Sequence, residues 1–289
     1  MASMNSPDQV LTHLCTSGEK KLSRTFAQTL ILAILAGVYI GFASHLATVA
    51  GTGNTEWPGA KNILVGSVFS LGLMLVLIPG AELFTGNNLI VISVLQKKAT
   101  LTSMTRNWII VYAGNLIGSL ALAFLLVFGT ESLTGEVGQR ALHIASSKAQ
   151  LSPLQAFTRG IGANWLVCLA IWIAFSAQDT AGKILGMFFP VMAFVAMGFE
   201  HSVANMYMIP AGALLQLLSD AAPQFSTVDI IRNIVWVTLG NIIGGGFFVA
   251  GVYWFLYAPK TQRRSALERE TQVHDRKSTL SLSSSPLKH

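Results

Sequence analysis

Glu82, Glu200 and His201 stand inside two long apolar runs that hold no other Asp, Glu, Lys, Arg or His. Such a group is costly in a hydrophobic segment unless it is paired or faces a cavity, so each marks a functional or architectural centre. A free histidine titrates near neutral pH, and as a residue type His201 suits the donation of a proton or a hydrogen bond to a passing anion. The competing reading is a neutral ring that hydrogen-bonds locally and shapes the chain. Glu82 and Glu200 are read as structural, accepting backbone N–H bonds where a helix is interrupted, against the alternative of direct contact with a solute. An ionised carboxylate facing a pathway would repel anions, which sets both behind the interruptions. Thr85 and Ser202 place hydroxyls beside them, and Asn87 and Asn205 are expected to cap the helices that resume there. Asn164 is the strongly polar residue in the opening half of another apolar run, and donation to a solute or to a neighbouring helix fits it equally.

These residues recur. The sequence GAELFTGN at 80–87 and GFEHSVAN at 198–205 share Gly, Glu and Asn at the same offsets, 118 residues apart. GNLIG at 114–118 and GNIIG at 240–244 are 126 apart. The shared order predicts two related halves, with the eight additional residues in a longer loop after the fifth span. No match joins the first span to the fourth. Within the repeat Leu83 aligns with His201, so the halves differ chemically at that position.

The elements that must hold these groups are membrane helices. The chain has 289 residues, 52% hydrophobic and 11% charged, with mean hydropathy +0.56, whereas a soluble domain carries about 25% charged residues. Six apolar runs cover 25–50, 62–95, 107–130, 160–178, 184–218 and 233–258. The second and fifth are each about 35 residues, and a straight helix of that length would reach about 50 Å against a hydrocarbon core of about 30 Å. Each holds a cluster of Gly and polar residues, so each is expected to break at membrane depth, where irregular backbone survives only inside protein or along a cavity. Three spans per half is an odd number, so the second half must insert upside down. The fold expected is therefore all-α and integral to the membrane, an inverted three-plus-three repeat with the second and fifth helices interrupted. Half-helix N-termini meeting at the midplane favour a small anion. Gly114, Gly118, Gly240, Gly244, Gly245 and Gly246 are expected to let helices approach closely, and Trp57, Trp108 and Tyr257 to sit at the membrane interface.

Of the 19 Lys and Arg residues, 14 fall on the side that carries both termini, which places the termini in the cytoplasm by the positive-inside rule. The expected organisation is a cytoplasmic N-terminal segment (1–24), a transmembrane domain (25–258) and a disordered basic tail (259–289). No cleavable signal peptide is expected before the first span. Two isolated cysteines, Cys15 and Cys168, make neither a disulfide framework nor a metal cluster. No metal, cofactor or nucleic-acid partner is expected, and the HExxH, GxSxG and P-loop patterns of enzymes are missing, so an intramembrane enzyme is disfavoured.

GAELFTGN, ANWLVCLAIW (163–172), FEHSVANMYMIP (199–210) and TLGNIIGGG (238–246) together closely resemble the formate/nitrite transporter family over residues 20–258. The resemblance implies an aquaporin-like fold without its NPA boxes and a homopentamer in the cell membrane with one pore per protomer. It implies passive or proton-coupled movement of small monovalent anions: nitrite or formate first, hydrosulfide, acetate or lactate as alternatives. ELFTG, NWLVCLAIW and WVTLGN look closer to the nitrite-type branch. A water or neutral-solute channel is the reading from a different class, disfavoured by the half-helix ends. By the same resemblance His201 is the central pore histidine, Thr85 the threonine of the loop interrupting the second span, and Asn164 the asparagine working with the histidine. Phe69, Leu73, Val167 and Phe194 fall at two apolar constrictions, and Lys148 at an anion-attracting outer mouth. The partners implied are the anion, protons and membrane lipids.

Overall fold

The computed structural model describes residues 4–53, 56–219 and 222–258. The tail read as disordered, 259–289, lies outside them. Among the described residues ten helices follow in order: α1 (Pro7–Leu22), α2 (Phe26–Ala50), α3 (Pro58–Leu77), α4 (Phe84–Leu95), α5 (Leu101–Gly129), α6 (Gly135–Ala149), α7 (Pro153–Ser176), α8 (Thr180–Ala196), α9 (Ser202–Leu217) and α10 (Thr227–Ala258). Of these, α2, α3, α5, α7 and α10 are each long and apolar enough to cross a membrane. Helices α3 and α4 form the interrupted second crossing, and α8 and α9 the interrupted fifth.

Both interruptions begin the same way. Gly80 and Gly198 adopt φ of 85° and 71°, a left-handed conformation that glycine takes without a Cβ penalty. The next N–H groups reach back five residues, Ala81 to the Val76 carbonyl at 2.9 Å and Phe199 to the Phe194 carbonyl at 3.0 Å, closing a Schellman-type helix end. The chain stays extended only to Leu83 and His201, which occupy the N-cap positions of α4 and α9. The interruptions are thus shorter than the sequence suggests. Asn87 and Asn205 lie inside the resumed helices, and their reading as caps is corrected.

Repeat symmetry extends further than the motifs. Thr25 and Ser152, 127 residues apart, open α2 and α7 with matching capping boxes, and Thr100 and Ser226 open α5 and α10 likewise. The first and fourth spans are therefore counterparts despite their unlike sequences. Helix α1 and helix α6, neither read from the sequence as an element of the repeat, are also counterparts: α1 packs on α4 and α6 on α9. Helices α5, α7 and α10 start several residues before their apolar runs because these polar caps, not hydropathy, set the helix ends.

Glycines bring the repeat mates together as expected. A Cβ on Gly118 would collide with the Ile34 carbonyl of α2, and one on Gly244 with the Ile161 carbonyl of α7, at equivalent places in the two halves. Two hydrogen bonds join a residue to its own counterpart: Ser70 Oγ to the Phe188 carbonyl at 3.0 Å, and Tyr112 Oη with Thr238 Oγ1 at 2.9 Å. Self-paired contacts of this kind lie on a pseudo-two-fold axis, as an inverted repeat requires. Trp108 packs against the core, and its indole N–H donates to the Asn87 carbonyl at 3.0 Å.

Candidate functional site

The interruptions are braced by a network that the sequence shows only in part. Asn115 accepts from the Phe84 N–H at 2.9 Å and donates to the carbonyls of Ala33 and Glu82. Asn241 does the same in the other half, accepting from the Ser202 N–H at 2.9 Å and donating to the carbonyls of Gly160 and Glu200. These asparagines belong to GNLIG and GNIIG, motifs whose glycines alone drew notice in the sequence. A buried Asn at the same place in two apolar spans was the available signal, since an unpaired amide there would cost about 1–3 kcal/mol.

Glu82 and Glu200 lie behind this brace and are fully or almost fully buried. Their partners are side chains rather than the expected backbone N–H groups. Asn87 Nδ2 donates to Glu82 Oε2 and Asn205 Nδ2 to Glu200 Oε2, each at 2.6 Å. Each carboxylate is neutralised by a lysine from the amphipathic helix of its own half: Lys21 Nζ at 3.1 Å from Glu82 Oε2, and Lys148 Nζ at 2.9 Å from Glu200 Oε1. Arg24 adds a second cation on Glu82. Its counterpart by repeat position is Leu151, so Glu200 has one cation only among the described residues. Lys148 is a helix residue with its charge offset, not a lysine of an irregular loop. On this side Asn205 Oδ1 and Ser202 Oγ are buried without a partner among the described residues, whereas Asn87 Oδ1 accepts from Lys21 Nζ at 2.8 Å.

Between the two braces stand Thr85 and His201. Thr85 Oγ1 is 2.8 Å from His201 Nε2, and His201 Nδ1 accepts the Ala204 N–H at 3.1 Å. The second bond fixes the ring chemistry. Nδ1 must keep its lone pair, so the neutral ring carries its hydrogen on Nε2 and donates it to Thr85. The Thr85 hydroxyl hydrogen is then left over for another acceptor. Asn164 stands behind Thr85 and spends its amide internally, on the Thr85 and Asn241 carbonyls and on Asn88 Oδ1 at 3.3, 2.7 and 2.8 Å. Cys168 Sγ lies 3.5 Å from the same Thr85 carbonyl. Asn164 therefore ties α4 to α10, in line with the helix-to-helix alternative.

Apolar side chains close this centre. The Phe69 and Phe194 rings meet edge to face at 5.9 Å, and Phe194 lies against the His201 ring at 6.1 Å. Val167 is buried in the same core. Leu73 borders a narrow pocket of about 50 Å3, together with Leu83, the counterpart of His201. That pocket opens toward a vestibule of about 820 Å3 on the side of α1. Lys20, Lys21, Arg24, Lys183 and His13 line the vestibule, and no acidic residue among the described ones does. In the sequence these cations stand apart and signal only topology. Folding gathers them from α1, the start of α2 and α8 around one mouth.

A family model described as formate/nitrite transporter matches residues 8–255. The probable formate transporter of Methanothermobacter thermautotrophicus is 40% identical over 275 residues, 89% of this chain and 98% of that protein. The formate channel FocA of Escherichia coli strain K12 is 38% identical over 257 residues, 83% of this chain and 90% of that one. Among solved structures, a pentameric formate channel with formate bound aligns with a TM-score of 0.72 at 37% identity, covering 81% of this chain and 98% of that chain. A structure titled FNT family ion channel aligns at 0.78 with 28% identity, covering 86% and 98%.

Proposed function

The chain belongs to the formate/nitrite transporter family, and from that premise we propose that it conducts small monovalent weak-acid anions, formate before nitrite, with a proton. The relatives named for formate support that order, against the lean of three short motifs toward nitrite. The observation that carries the reading is the Thr85–His201 pair inside an apolar closure. A bare anion crossing between Leu73, Leu83, Phe69 and Phe194 would lose its hydration, at a cost far above what one hydrogen bond returns. A protonated weak acid loses much less.

The basic vestibule concentrates the anion at the mouth nearest α1. The anion takes its proton from bulk water at that mouth. Thr85 then donates a hydrogen bond to the acid's oxygen and keeps its hydrogen, while His201 holds the hydroxyl in place. His201 acts here as a neutral donor. Charging the ring would put a hydrogen on Nδ1 and break the bond from the Ala204 N–H that caps α9. Strong-acid anions such as chloride gain little from this route because they stay unprotonated. The termini lie in the cytoplasm in this reading, the vestibule is the inner mouth, and the assembly is a homopentamer like the formate channel it resembles.

The test is uptake of labelled formate and labelled nitrite into proteoliposomes, with water flux measured alongside. Both solutes should enter faster with the protein than without it, formate ahead, and water should not. The substitution His201→Asn should lower both fluxes and leave their dependence on pH, which follows ionisation of the solute acid, in place. Unchanged fluxes in that variant would remove His201 from the mechanism, and a dominant water flux would favour the neutral-solute class.

A further inference from the structure

A second cavity lies outside the conduction route. It has a volume of about 270 Å3 and sits between the end of α1 and the starts of α2 and α5. Arg24, Thr29, Thr102, Ser103, Arg106 and Asn107 line it, and it adjoins an apolar groove of about 640 Å3 formed by Phe26, Leu101, Ile109 and Ile110. Arg106 and Thr102 border both spaces. Among the described residues no Asp or Glu lines either one.

The repeat shows what this cavity lacks. In the second half Arg232, the counterpart of Arg106, donates to the Ala149 carbonyl at 3.0 Å and pairs with Asp229 at 2.8 Å. The counterpart of Asp229 is Ser103, so Arg106 has no acidic or hydrogen-bonding partner among the described residues. Asn233 Nδ2 donates to the Lys148 carbonyl at 2.7 Å. Its counterpart Asn107 is 5% exposed, accepts from Asn87 Nδ2, and has no partner for its own Nδ2 among the described residues. One half closes the position with its own groups. The other leaves a guanidinium, a buried amide and the Thr102 hydroxyl around the cavity.

We propose that this cavity and groove bind an anionic phospholipid of the leaflet on the α1 side. The phosphate takes Arg106, the Asn107 amide and the Thr102 hydroxyl, and the acyl chains follow Phe26 and Ile109. A free phosphate would satisfy the cations but leave the adjoining apolar groove unfilled. The location suits a lipid: both helices start here from polar capping boxes, so headgroup and acyl chain meet the protein at the depth where its surface turns apolar. Arg24 borders both this cavity and the vestibule, so an occupied site sits beside the ion pair on Glu82.

Native mass spectrometry of the full chain in detergent tests the site, with short-chain phosphatidylglycerol, phosphatidylcholine of the same chains, and inorganic phosphate as probes. Saturable binding of phosphatidylglycerol is expected, with the choline lipid and inorganic phosphate far weaker. The substitution Arg106→Gln should weaken it by about tenfold or more, the loss of one charge-assisted contact, while Arg232→Gln leaves it unchanged. Equal binding of the two lipids, displacement by inorganic phosphate at matching concentration, or an unaltered Arg106→Gln variant would each overturn the proposal. So would Ile109→Cys cross-linking two copies of the chain, which would make the groove an interface between them.

Discussion

At the residue scale the hydrogen on His201 decides how the centre works. The Ala204 N–H holds Nδ1 as an acceptor, which leaves Nε2–H for Thr85 and the Thr85 hydroxyl hydrogen for another acceptor, the solute in the proposed mechanism. The substitution Thr85→Val keeps the shape and removes the hydroxyl. Formate flux should fall by about ten- to hundredfold, the worth of one hydrogen bond to a charged or strongly polar group, with a stability loss of about 1–3 kcal/mol from the unpaired His201 N–H. A flux drop matched by a large loss of stability would mean that Thr85 acts in folding instead. His201 and Thr85 were legible in the sequence because a polar group in an uncharged apolar run is costly unless it has a task there. Their bonding was not, since the partner of each lies 116 residues away. Asn87 and Asn205 were misread as caps because capping is inferred from distance to a break, and the breaks proved shorter than their polar clusters.

At the element scale the two halves balance their buried carboxylates unequally. Glu82 has Lys21 and Arg24, whereas Glu200 has Lys148 alone among the described residues. Removing the only cation from a buried pair strands its partner and costs about 3–5 kcal/mol. Thermal unfolding in detergent should therefore show a large loss for Lys148→Met. Lys21→Met should cost less, about 1–3 kcal/mol for its lost hydrogen bonds, because Arg24 remains. Equal losses would contradict this asymmetry. The interruptions and the three-plus-three repeat could be read from GAELFTGN, GFEHSVAN, GNLIG and GNIIG. Helices α1 and α6 could not. They are short and polar, and only the contacts Lys21–Glu82 and Lys148–Glu200, 61 and 52 residues apart in sequence, reveal them as counterparts. The match between the first and fourth spans was hidden for a similar reason: what they share is a pair of capping boxes and two carbonyl acceptors, and carbonyls carry no sequence signal.

At the scale of the whole molecule, a basic vestibule leads to a narrow apolar pocket and then to a buried donor pair. This order favours attraction of an anion followed by passage of its neutral acid. The cost of carrying a charge through the closure is avoided if the proton travels with it. The most direct test is formate entry into proteoliposomes containing a pH-sensitive dye, with the membrane potential clamped by potassium and valinomycin. Formate and protons should enter together, one for one, faster as the outside is acidified and indifferent to the sign of the potential. Formate entry that follows the potential with no matching proton movement would show that the bare anion crosses, and would contradict the account.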